Sequence, residues 1–339
     1  MAVILYGKKM KGSVIQMKIF LIETPGVYKY TEKAYPVLPD KNESILKVLG
    51  CGICGTDPKI YKGETIANYP LIPGHEIMGI IEESSEFEKG QFVTIDPNKA
   101  CGKCHFCRIG KPNLCQNLEA VGVTRDGGFA EYVKVDNSQI FMLEKSVPVE
   151  RGIFSEPLSC ILNGFERSNF SFVSDVAIIG GGAIGSIFGM LSKRFTIGKV
   201  IIFEIAQERR SYIEKDLKIF SSDPREYKGK KFDTVFECSG TTEGLNFARN
   251  IIEDGGTIVI FGVTPHGKKS EIEPFDVYKR EYNISGSYVN PYTMEKAVKI
   301  INSGEFLFEK LASDVVELDK VFEFVTSNKK PFMKAIYKR

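Results

Sequence analysis

Three short segments carry side chains that could bind a metal ion beside a reactive hydroxyl. Cys54 is followed closely by Thr56, His75 is followed directly by Glu76, and a further carboxylate, Glu156, comes much later in the chain. Zinc accepts thiolate, imidazole and carboxylate ligands together and keeps one position open when it is catalytic. These residue types indicate a catalytic zinc site. The alternative is that Cys54 and His75 are ordinary core residues, because free cysteine is among the most buried residue types.

A second candidate metal site consists of four cysteines in one loop. Cys101, Cys104, Cys107 and Cys115 have two, two and seven residues between successive members. Four thiolates fill a tetrahedral zinc ion and leave no position for a substrate, so we predict a structural zinc here. An iron–sulfur cluster is the chemical rival, but the spacing does not match the ferredoxin patterns.

A glycine-rich stretch between a short apolar strand and a helix indicates a nucleotide-binding loop. Its pattern is Gly-x-Gly-x-x-Gly, formed by Gly180, Gly182 and Gly185. The first glycine permits a tight turn, the second lets the backbone approach a pyrophosphate, and the third lets the helix pack closely on the strand. We expect the amides of Ala183 and Ile184, in the first helical turn, to contact the phosphates.

The next apolar strand ends in a carboxylate that bears on the choice of nicotinamide cofactor. Glu204 lies about 20 residues beyond the loop, where a carboxylate accepts the ribose hydroxyls and repels a 2'-phosphate. Arg209 and Arg210 favour NADP instead, since guanidinium groups pair with a 2'-phosphate. Because Glu204 occupies the ribose position itself, the sequence favours NAD over NADP.

The pattern of predicted elements divides the chain into a β-rich part and an α/β part. Short strands separated by Pro, Gly and Asn run to about residue 149, and alternating strands and helices typical of a doubly wound parallel sheet follow Glu156. Residues 1–16 are basic and punctuated by glycine, and we interpret them as an N-terminal extension. The predicted strands are 17–22, 45–49, 77–82, 92–95, 129–135, 175–179, 199–203, 233–237, 256–262, 284–287 and 334–337, and the later predicted helices are 243–252, 294–301 and 319–327.

Composition favours a two-domain enzyme or binding protein. The chain has 339 residues, and its 45 Lys and Arg are nearly balanced by 43 Asp and Glu, giving a formal net charge of +2. That balance argues against a nucleic-acid or anionic-membrane surface. We find neither an apolar run of the roughly 20 residues that span a bilayer nor a secretory signal, and we therefore expect a cytoplasmic location.

Together these motifs resemble the zinc-containing medium-chain dehydrogenases of the alcohol dehydrogenase superfamily. The resemblance runs from Met17 to the end of the chain, with the motifs in the family's order. Glu156-Pro-Leu-Ser159 and Gly286-Ser-Tyr-Val-Asn-Pro291 look like the sorbitol-type, or polyol, dehydrogenase branch, since simple alcohol dehydrogenases usually carry a cysteine where Glu156 stands. The motifs that carry the resemblance are Cys54-Gly-Thr-Asp57, Gly74-His75-Glu76, the four-cysteine loop, Glu156-Pro-Leu-Ser159 and the loop from Gly180 to Gly185.

The resemblance implies a fold of two domains with the active site between them. A GroES-like catalytic domain would comprise residues 17–155 and 289–339, and a Rossmann NAD-binding domain would comprise residues 156–288. The family assembles as dimers or tetramers, so the resemblance also implies a homo-oligomer, with the edge strand near 284–288 as an interface.

Site roles also follow from the resemblance. Cys54 and His75 match catalytic zinc ligands, with Glu76, Glu156 or a water completing the shell. Asp57 matches a carboxylate that orients the histidine, and Thr56 matches the hydroxyl that takes the substrate proton.

One position departs from the family pattern. Lys59 stands where relatives commonly carry a histidine that relays the proton to solvent. We interpret Lys59 as a solvated surface lysine that catalysis does not need, and expect proton release through ribose hydroxyls or water.

The leading hypothesis is an NAD-dependent dehydrogenase that oxidises a secondary hydroxyl of a polyol, cyclitol or sugar to a ketone. A sugar, threonine or simple alcohol dehydrogenase would differ only in pocket residues. A redox-silent zinc and nucleotide-binding protein is the non-enzyme alternative, and retention of every expected ligand and of Thr56 argues against it.

Overall fold

The computed structural model describes residues 15–38, 40–327 and 329–339. The predicted N-terminal extension lies outside these residues except for its last two, and Gln16 begins the first strand. Strands are β1 Gln16–Thr24, β2 Val27–Ala34, β3 Glu43–Gly52, β4 Glu76–Glu83, β5 Phe92–Ile95, β6 Asn98–Lys99, β7 Glu119–Ala120, β8 Tyr132–Asp136, β9 Ile140–Met142, β10 Val176–Ile179, β11 Val200–Phe203, β12 Phe220–Ser222, β13 Phe232–Glu237, β14 Ile252–Ile260, β15 Asn283–Gly286, β16 Ala312–Val316 and β17 Lys334–Lys338.

Helices connect the strands of the second half and brace the first. Helices are α1 Thr56–Lys62, α2 His105–Arg108, α3 Val149–Gly152, α4 Ser155–Glu166, α5 Ala183–Phe195, α6 Gln207–Lys215, α7 Thr242–Ile251, α8 Pro274–Arg280, α9 Met294–Ser303 and α10 Phe322–Val325, with 3-10 turns at Pro112–Leu114, Asn137–Gln139, Phe308–Leu311 and Leu318–Lys320. None of the helices in the described ranges is both long and apolar enough to cross a membrane.

Six parallel strands form one sheet, in the order β12-β11-β10-β13-β14-β15. This is the doubly wound order, in which the chain reverses direction across the sheet between β10 and β13, and ligands bind outside the strand C-termini at that point. The strand residues are largely apolar because helices cover both faces of such a sheet. The predicted Rossmann fold is confirmed.

A second sheet draws its strands from both ends of the chain. Its order is β16-β17-β3-β4-β5-β9, with β8 also paired to β3. β17 runs antiparallel to β3 and places Ile336 opposite Gly52. The C-terminal strand therefore closes the β-rich lobe, and the predicted combination of a GroES-like domain with a Rossmann domain is confirmed.

Three hydrophobic clusters fill the molecule. One lies within the β-rich lobe, one lies on a single face of the parallel sheet, and the largest joins the two lobes. In the largest cluster Met78 of β4 and Leu158 of α4 share a core with Phe188 of α5. Apolar packing of this kind holds the two lobes together beneath the cleft.

Several secondary-structure elements differ from those predicted from the sequence. The strand predicted from Phe129 begins at Tyr132, because Phe129 instead accepts a backbone hydrogen bond from Phe20 and leaves the ladder with β3. The helix predicted over 319–327 is only a 3-10 turn followed by the single turn of α10. Six strands of the described residues were missed, namely β2, β6, β7, β9, β12 and β16. All but β2 have only two to five residues, and β2 is largely exposed, so these segments give little periodicity.

Candidate active site

Three potential metal ligands converge where β3 and β4 meet. Cys54 follows β3, His75 precedes β4, and Glu76 opens β4, and one ligand atom from each lies within 4.8 Å of the others. Gly52 pairs with Glu76 across the ladder, and a Cβ at position 52 would lie 1.8 Å from Glu76 Oε2. Only glycine leaves room for this carboxylate, so the sequence shapes the pocket through an absent side chain.

Asp57 supports the cluster from beneath. It is fully buried, and its Oδ2 accepts a hydrogen bond from the Cys54 amide at 2.7 Å. Its Oδ1 lies 3.8 Å from His75 Nδ1, which leaves Nε2 of that imidazole as the atom free to bind a metal. Burial raises the pKa of Asp57 to about 6, although His75 opposes the shift.

Three acidic side chains near His75 affect its protonation. Burial lowers its pKa, but Cys54, Asp57 and Glu156 together raise it well above the ordinary value. An imidazole surrounded by anionic groups holds a proton in the metal-free protein, and a metal ion has to displace that proton to bind.

A buried lysine, which the sequence did not reveal, contacts the cluster. Lys334 of β17 is 7 % exposed and donates to Glu76 Oε1 at 2.5 Å. Burial lowers its pKa, but Glu76, Cys54 and Glu156 raise it above the ordinary value. The second oxygen, Glu76 Oε2, is buried and has no partner, so the carboxylate is held by the lysine on one side and open on the other.

Glu156 approaches from the other lobe, in the first turn of α4. It is 8 % exposed, and the Cys160 thiol contacts its Oε1 at 3.4 Å. Burial raises its pKa to about 7, opposed by His75 and reinforced by Glu76. The structure places Glu156 beside the cluster but outside the set of three converging ligand atoms.

The hydroxyl predicted to take the substrate proton and the lysine that departs from the family pattern both lie on α1. Thr56 begins this helix with its Oγ1 3.7 Å from Cys54 Sγ. Lys59 is half-buried, and its ammonium donates to the carbonyl of Val263 at 3.3 Å, across the cleft in the loop after β14. Lys59 is thus a partly exposed surface lysine with one contact across the cleft, and its dispensability in catalysis stays a prediction.

The donor set fits a divalent cation. Three buried carboxylates and a thiol face a single lysine, which leaves excess negative charge in a low-dielectric site. Asp57 Oδ1, His75 Nδ1 and Glu76 Oε2 are buried without hydrogen-bond partners. The mixture of thiolate, imidazole and carboxylate is the one that zinc takes in catalytic sites.

The four predicted cysteines converge in their own loop. One sulfur from each of Cys101, Cys104, Cys107 and Cys115 lies within 4.8 Å of the others. Backbone amides point at this group, including those of Cys101 and Asn117, which donate to Cys115 Sγ at 3.2 and 3.4 Å. Backbone hydrogen bonds from Lys103 and Cys104 lower the pKa of Cys101 to about 6, whereas burial and the neighbouring thiols of Cys104 and Cys115 raise the pKa of Cys107 to about 12. The convergence of four sulfurs suits a closed tetrahedral zinc site, and a metal ion has to displace the Cys107 proton to bind there.

The glycine loop lies at the switch point of the parallel sheet. Gly180 has φ +99°, a left-handed conformation, and a Cβ on Gly185 would lie 1.9 Å from Gly180 O. A Cβ on Gly182 would meet no atom within 4 Å, so this position opens toward the space before α5. Ala183 and Ile184 begin α5 with their amides at its N-terminus, where an anion is stabilised.

The carboxylate and the arginines predicted at the ribose position lie together. Glu204 is 6 % exposed and accepts backbone hydrogen bonds from Gly181 and Ala206 at 2.8 and 2.9 Å. Arg209 donates to the carbonyls of Pro331 and Phe332, with its Nη1 3.7 Å from Glu204 Oε2. Arg210 donates to the carbonyls of Glu204 and Ile205 and to Asp223. Both guanidinium groups are therefore already bound by protein acceptors.

A second buried carboxylate, missed in the sequence, lies at the C-terminal edge of the parallel sheet. Glu237 at the end of β13 accepts hydrogen bonds from the amides of Ser239 and Gly240. Gly240, at φ +66°, packs backbone to backbone against Gly262. Glu237, Ser239, Gly240 and Gly262 thus form one tightly packed layer at the C-terminal edge of the sheet. The position of Glu237 inside a strand gave no signal of this role.

Family comparisons agree with this geometry. Residues 40–145 match the alcohol dehydrogenase GroES-like domain and residues 183–303 match the zinc-binding dehydrogenase domain. The chain is 31 % identical over 325 residues to D-arabinitol dehydrogenase 1 of Uromyces fabae, covering 91 % of this chain and 93 % of that protein.

Solved structures share the whole architecture. A zinc-binding dehydrogenase from Sinorhizobium meliloti bound to NADP has a TM-score of 0.91 and 32 % identity, covering 96 % of this chain and 100 % of the other. A short chain alcohol dehydrogenase from Escherichia coli CFT073 in complex with NADH has a TM-score of 0.87 and 26 % identity, covering 96 % and 99 %. The protein belongs to the zinc-containing medium-chain dehydrogenases of the alcohol dehydrogenase superfamily, and it is a zinc-dependent oxidoreductase.

Proposed function

We propose that the protein oxidises a secondary hydroxyl of a polyol, cyclitol or sugar to a ketone, with hydride transfer to NAD. The buried cluster of Cys54, His75 and Glu76 beside the Thr56 hydroxyl carries this proposal. Similarity over nearly the full chain to an arabinitol dehydrogenase supports a polyhydroxylated substrate over a simple alcohol.

Cys54 and His75 are the proposed zinc ligands, with Glu76, Glu156 or water completing the shell. A zinc ion held there stabilises negative charge on the substrate oxygen and lowers the pKa of the reacting hydroxyl. Thr56 accepts the proton of that hydroxyl and passes it outward. Asp57 is the proposed orienting carboxylate, because its Oδ1 lies 3.8 Å from His75 Nδ1 and would favour an imidazole that offers Nε2 to the metal.

Lys334 bears on which glutamate binds the metal. It neutralises Glu76 through Oε1 and leaves Oε2 unpartnered within the ligand cluster, which supports Glu76 as a ligand in the substrate-free enzyme. Glu156, with its pKa raised to about 7, carries a proton more readily and would bind less tightly. Zinc affinity in Glu76→Gln and Glu156→Gln tests this order, and a larger loss in Glu156→Gln would reverse it.

The proposed cofactor preference is NAD over NADP. Gly180, Gly182 and Gly185 with the amides of Ala183 and Ile184 would hold the pyrophosphate, and Glu204 the ribose. Arg209 and Arg210 are engaged by protein acceptors and so are not preset for a 2'-phosphate. The NADP-bound neighbour shows that the architecture admits the phosphate, so the preference rests on Glu204. Its measure is the ratio of kcat/KM for the two cofactors, which Glu204→Ala should move toward NADP.

Assembly and location are proposed with the function. β15 is the edge strand of the six-stranded sheet, and Phe275 and Tyr278 on the adjacent α8 are exposed. This edge would pair with a second copy to give a homodimer, or a homotetramer through further contacts. A monomer mass in light scattering would contradict it. All eight cysteines are unpaired, which accords with a reducing cytoplasm.

The decisive experiment measures initial rates of NAD and NADP reduction by the zinc-loaded protein. The panel comprises alditols, cyclitols, sugars, threonine and simple alcohols, with Thr56→Val as the matched variant. A strong NAD-linked rate with one polyol or cyclitol, reduced about 100-fold in Thr56→Val at unchanged zinc content, is the expected result. A higher rate with threonine or a simple alcohol would contradict the proposed polyol, cyclitol or sugar substrate. No activity on any substrate of the panel, with zinc and NAD both bound, would favour the redox-silent alternative.

A further inference from the structure

Two residues in the segment that leaves the parallel sheet for the β-rich lobe have a left-handed backbone. Val289 has φ +46° and Tyr292 has φ +58°, shortly after the end of β15. Among the described residues, Val289 is the only β-branched one with φ in this region. A left-handed conformation is a genuine outlier for such a residue and persists only where the surrounding structure holds it.

A buried amide of helix α4 holds Val289 in this conformation. Asn163 is 1 % exposed, and its amide nitrogen donates to the carbonyls of Val289 and Tyr288 at 2.9 and 3.3 Å. The same nitrogen donates to Ser287 Oγ at 3.1 Å. Because peptide groups are planar, the two carbonyls belong to the rigid planes on either side of the Val289 Cα. A single donor group that binds both carbonyls therefore fixes φ and ψ of Val289.

Other contacts hold the neighbouring residues but not Val289 itself. Asn113 also donates to the Tyr288 carbonyl, at 3.1 Å, and Asn290 is 2 % exposed with its side-chain oxygen and nitrogen both hydrogen-bonded. In the part of the chain that the structure describes, Asn163 is the only residue that donates to the carbonyl of Val289. Loss of the Asn163 amide would leave that carbonyl without a partner and would remove the restraint on φ.

The restrained segment lies at the edge of the sheet where ligands bind in this fold. The Ser287 amide donates to the carbonyl of Ile260 at 3.1 Å, so the chain leaving β15 runs beside the chain leaving β14. That neighbouring chain continues into Gly262, whose backbone packs against Gly240. Doubly wound sheets bind their ligands outside these C-terminal strand ends, so a displaced segment would change the surface that receives a nicotinamide cofactor.

We propose that Asn163 is a positioning residue for the cofactor, which holds Val289 left-handed and so fixes the segment from Ser287 to Asn290 at the sheet edge. This inference rests on the proposed use of a nicotinamide cofactor. Glu156 lies on the same face of α4, seven residues earlier, so one helix positions both this segment and a carboxylate beside the metal cluster. Without the Asn163 amide, Val289 would turn to an extended or right-handed backbone, and the segment would shift.

The test is a double-mutant cycle on the full-length, zinc-loaded protein, with NADH affinity measured by fluorescence titration. Asn163→Ala removes the amide, and Val289→Gly removes the strain, because glycine adopts positive φ about as readily as negative φ. Asn163→Leu lacks the donor but fills the space, so it repeats the test without a cavity. As the control, Asn137→Ala removes another buried amide, which bonds to Ser44 and Glu86 in the β-rich lobe. Zinc content and melting temperature show that each variant is folded.

Asn163→Ala and Asn163→Leu should each weaken NADH binding at least about tenfold when residue 289 is valine, and less than about threefold when it is glycine. Asn137→Ala should change the affinity less than about twofold. Equal losses in the two backgrounds would mean that Asn163 acts only as a core residue and would overturn the proposal, as would wild-type affinity in Asn163→Ala.

The same titration separates this proposal from the proposed reaction. NADH is added without substrate, so the dependence on residue 289 supports the role of Asn163 even in a protein that oxidises none of the alcohols tested. Failure of the wild-type protein to bind NADH would overturn the role of Asn163 and the proposed function together.

Discussion

The two metal sites of this protein are built in opposite ways. The four-cysteine site takes all its ligands from one loop of fifteen residues and is supported by that loop's own amides. The catalytic cluster joins residues near the ends of two strands with a lysine 258 positions away and a glutamate from the other lobe. The first site can form locally, whereas the second exists only when the whole fold is in place.

The largest expected effect is on the catalytic site alone. Cys54→Ala should lower kcat/KM by at least about 1,000-fold, because a displaced zinc no longer stabilises charge on the substrate oxygen. Zinc content should fall from two ions per chain to one. Loss of both ions would show that the sites are not independent and would break the comparison.

Lys334 tests how far the catalytic cluster depends on distant residues. Lys334→Met leaves Glu76 buried without its partner and should lower the free energy of unfolding by about 3–5 kcal/mol. Urea denaturation provides the measurement, with Lys334→Arg as the variant that keeps the charge. A loss below about 1 kcal/mol in the zinc-loaded protein would mean that zinc alone neutralises Glu76.

A substitution in the four-cysteine site should lower the stability of the protein and leave its catalytic activity nearly unchanged. Cys107→Ser should remove one zinc and lower the free energy of unfolding by at least about 2 kcal/mol, because closed zinc sites contribute to folding directly. Activity of the folded fraction should stay within about threefold of wild type, since the two sites share no ligands. A loss as large as that of Cys54→Ala would assign this loop a part in catalysis.

The two sites should also differ in the pH dependence of stability. In the metal-free protein the pKa values of Asp57, about 6, and Glu156, about 7, exceed the unfolded values near 4. The folded state therefore holds more protons than the unfolded state between pH 4 and 7, and stability falls as pH rises, by about 2 kcal/mol per unit when both carboxylates contribute. The zinc-loaded protein should be nearly flat over this interval. Equal slopes with and without zinc would contradict the binding of zinc beside these two carboxylates.

The features predicted correctly from the sequence are those whose residues lie close together along the chain. The spacing of Cys101 to Cys115 and the pattern from Gly180 to Gly185 specify their geometry within a few residues, and the structure brings both groups together as expected. Short strands such as β12 were missed because a few half-exposed residues carry no clear period.

Contacts between residues far apart in the sequence could not be predicted from neighbouring residues. Lys334 approaches Glu76 only because β17 pairs with β3 and β3 pairs with β4, and no spacing along the chain encodes that route. The same holds for Asn113, whose contact with the carbonyl of Tyr288 joins segments 175 residues apart. A lysine beside apolar strand residues and an asparagine in a loop are common in proteins, so neither stands out in the sequence as a functional residue.

Gly52 sets a limit on how this enzyme can be redesigned. A side chain there would occupy the space of the Glu76 carboxylate, so saturation mutagenesis at position 52 should return active clones only as glycine. Larger residues at 52 become accessible only in a background where position 76 has already lost its carboxylate. The two positions therefore form one unit for library design, and any route to a larger residue at position 52 must change position 76 first.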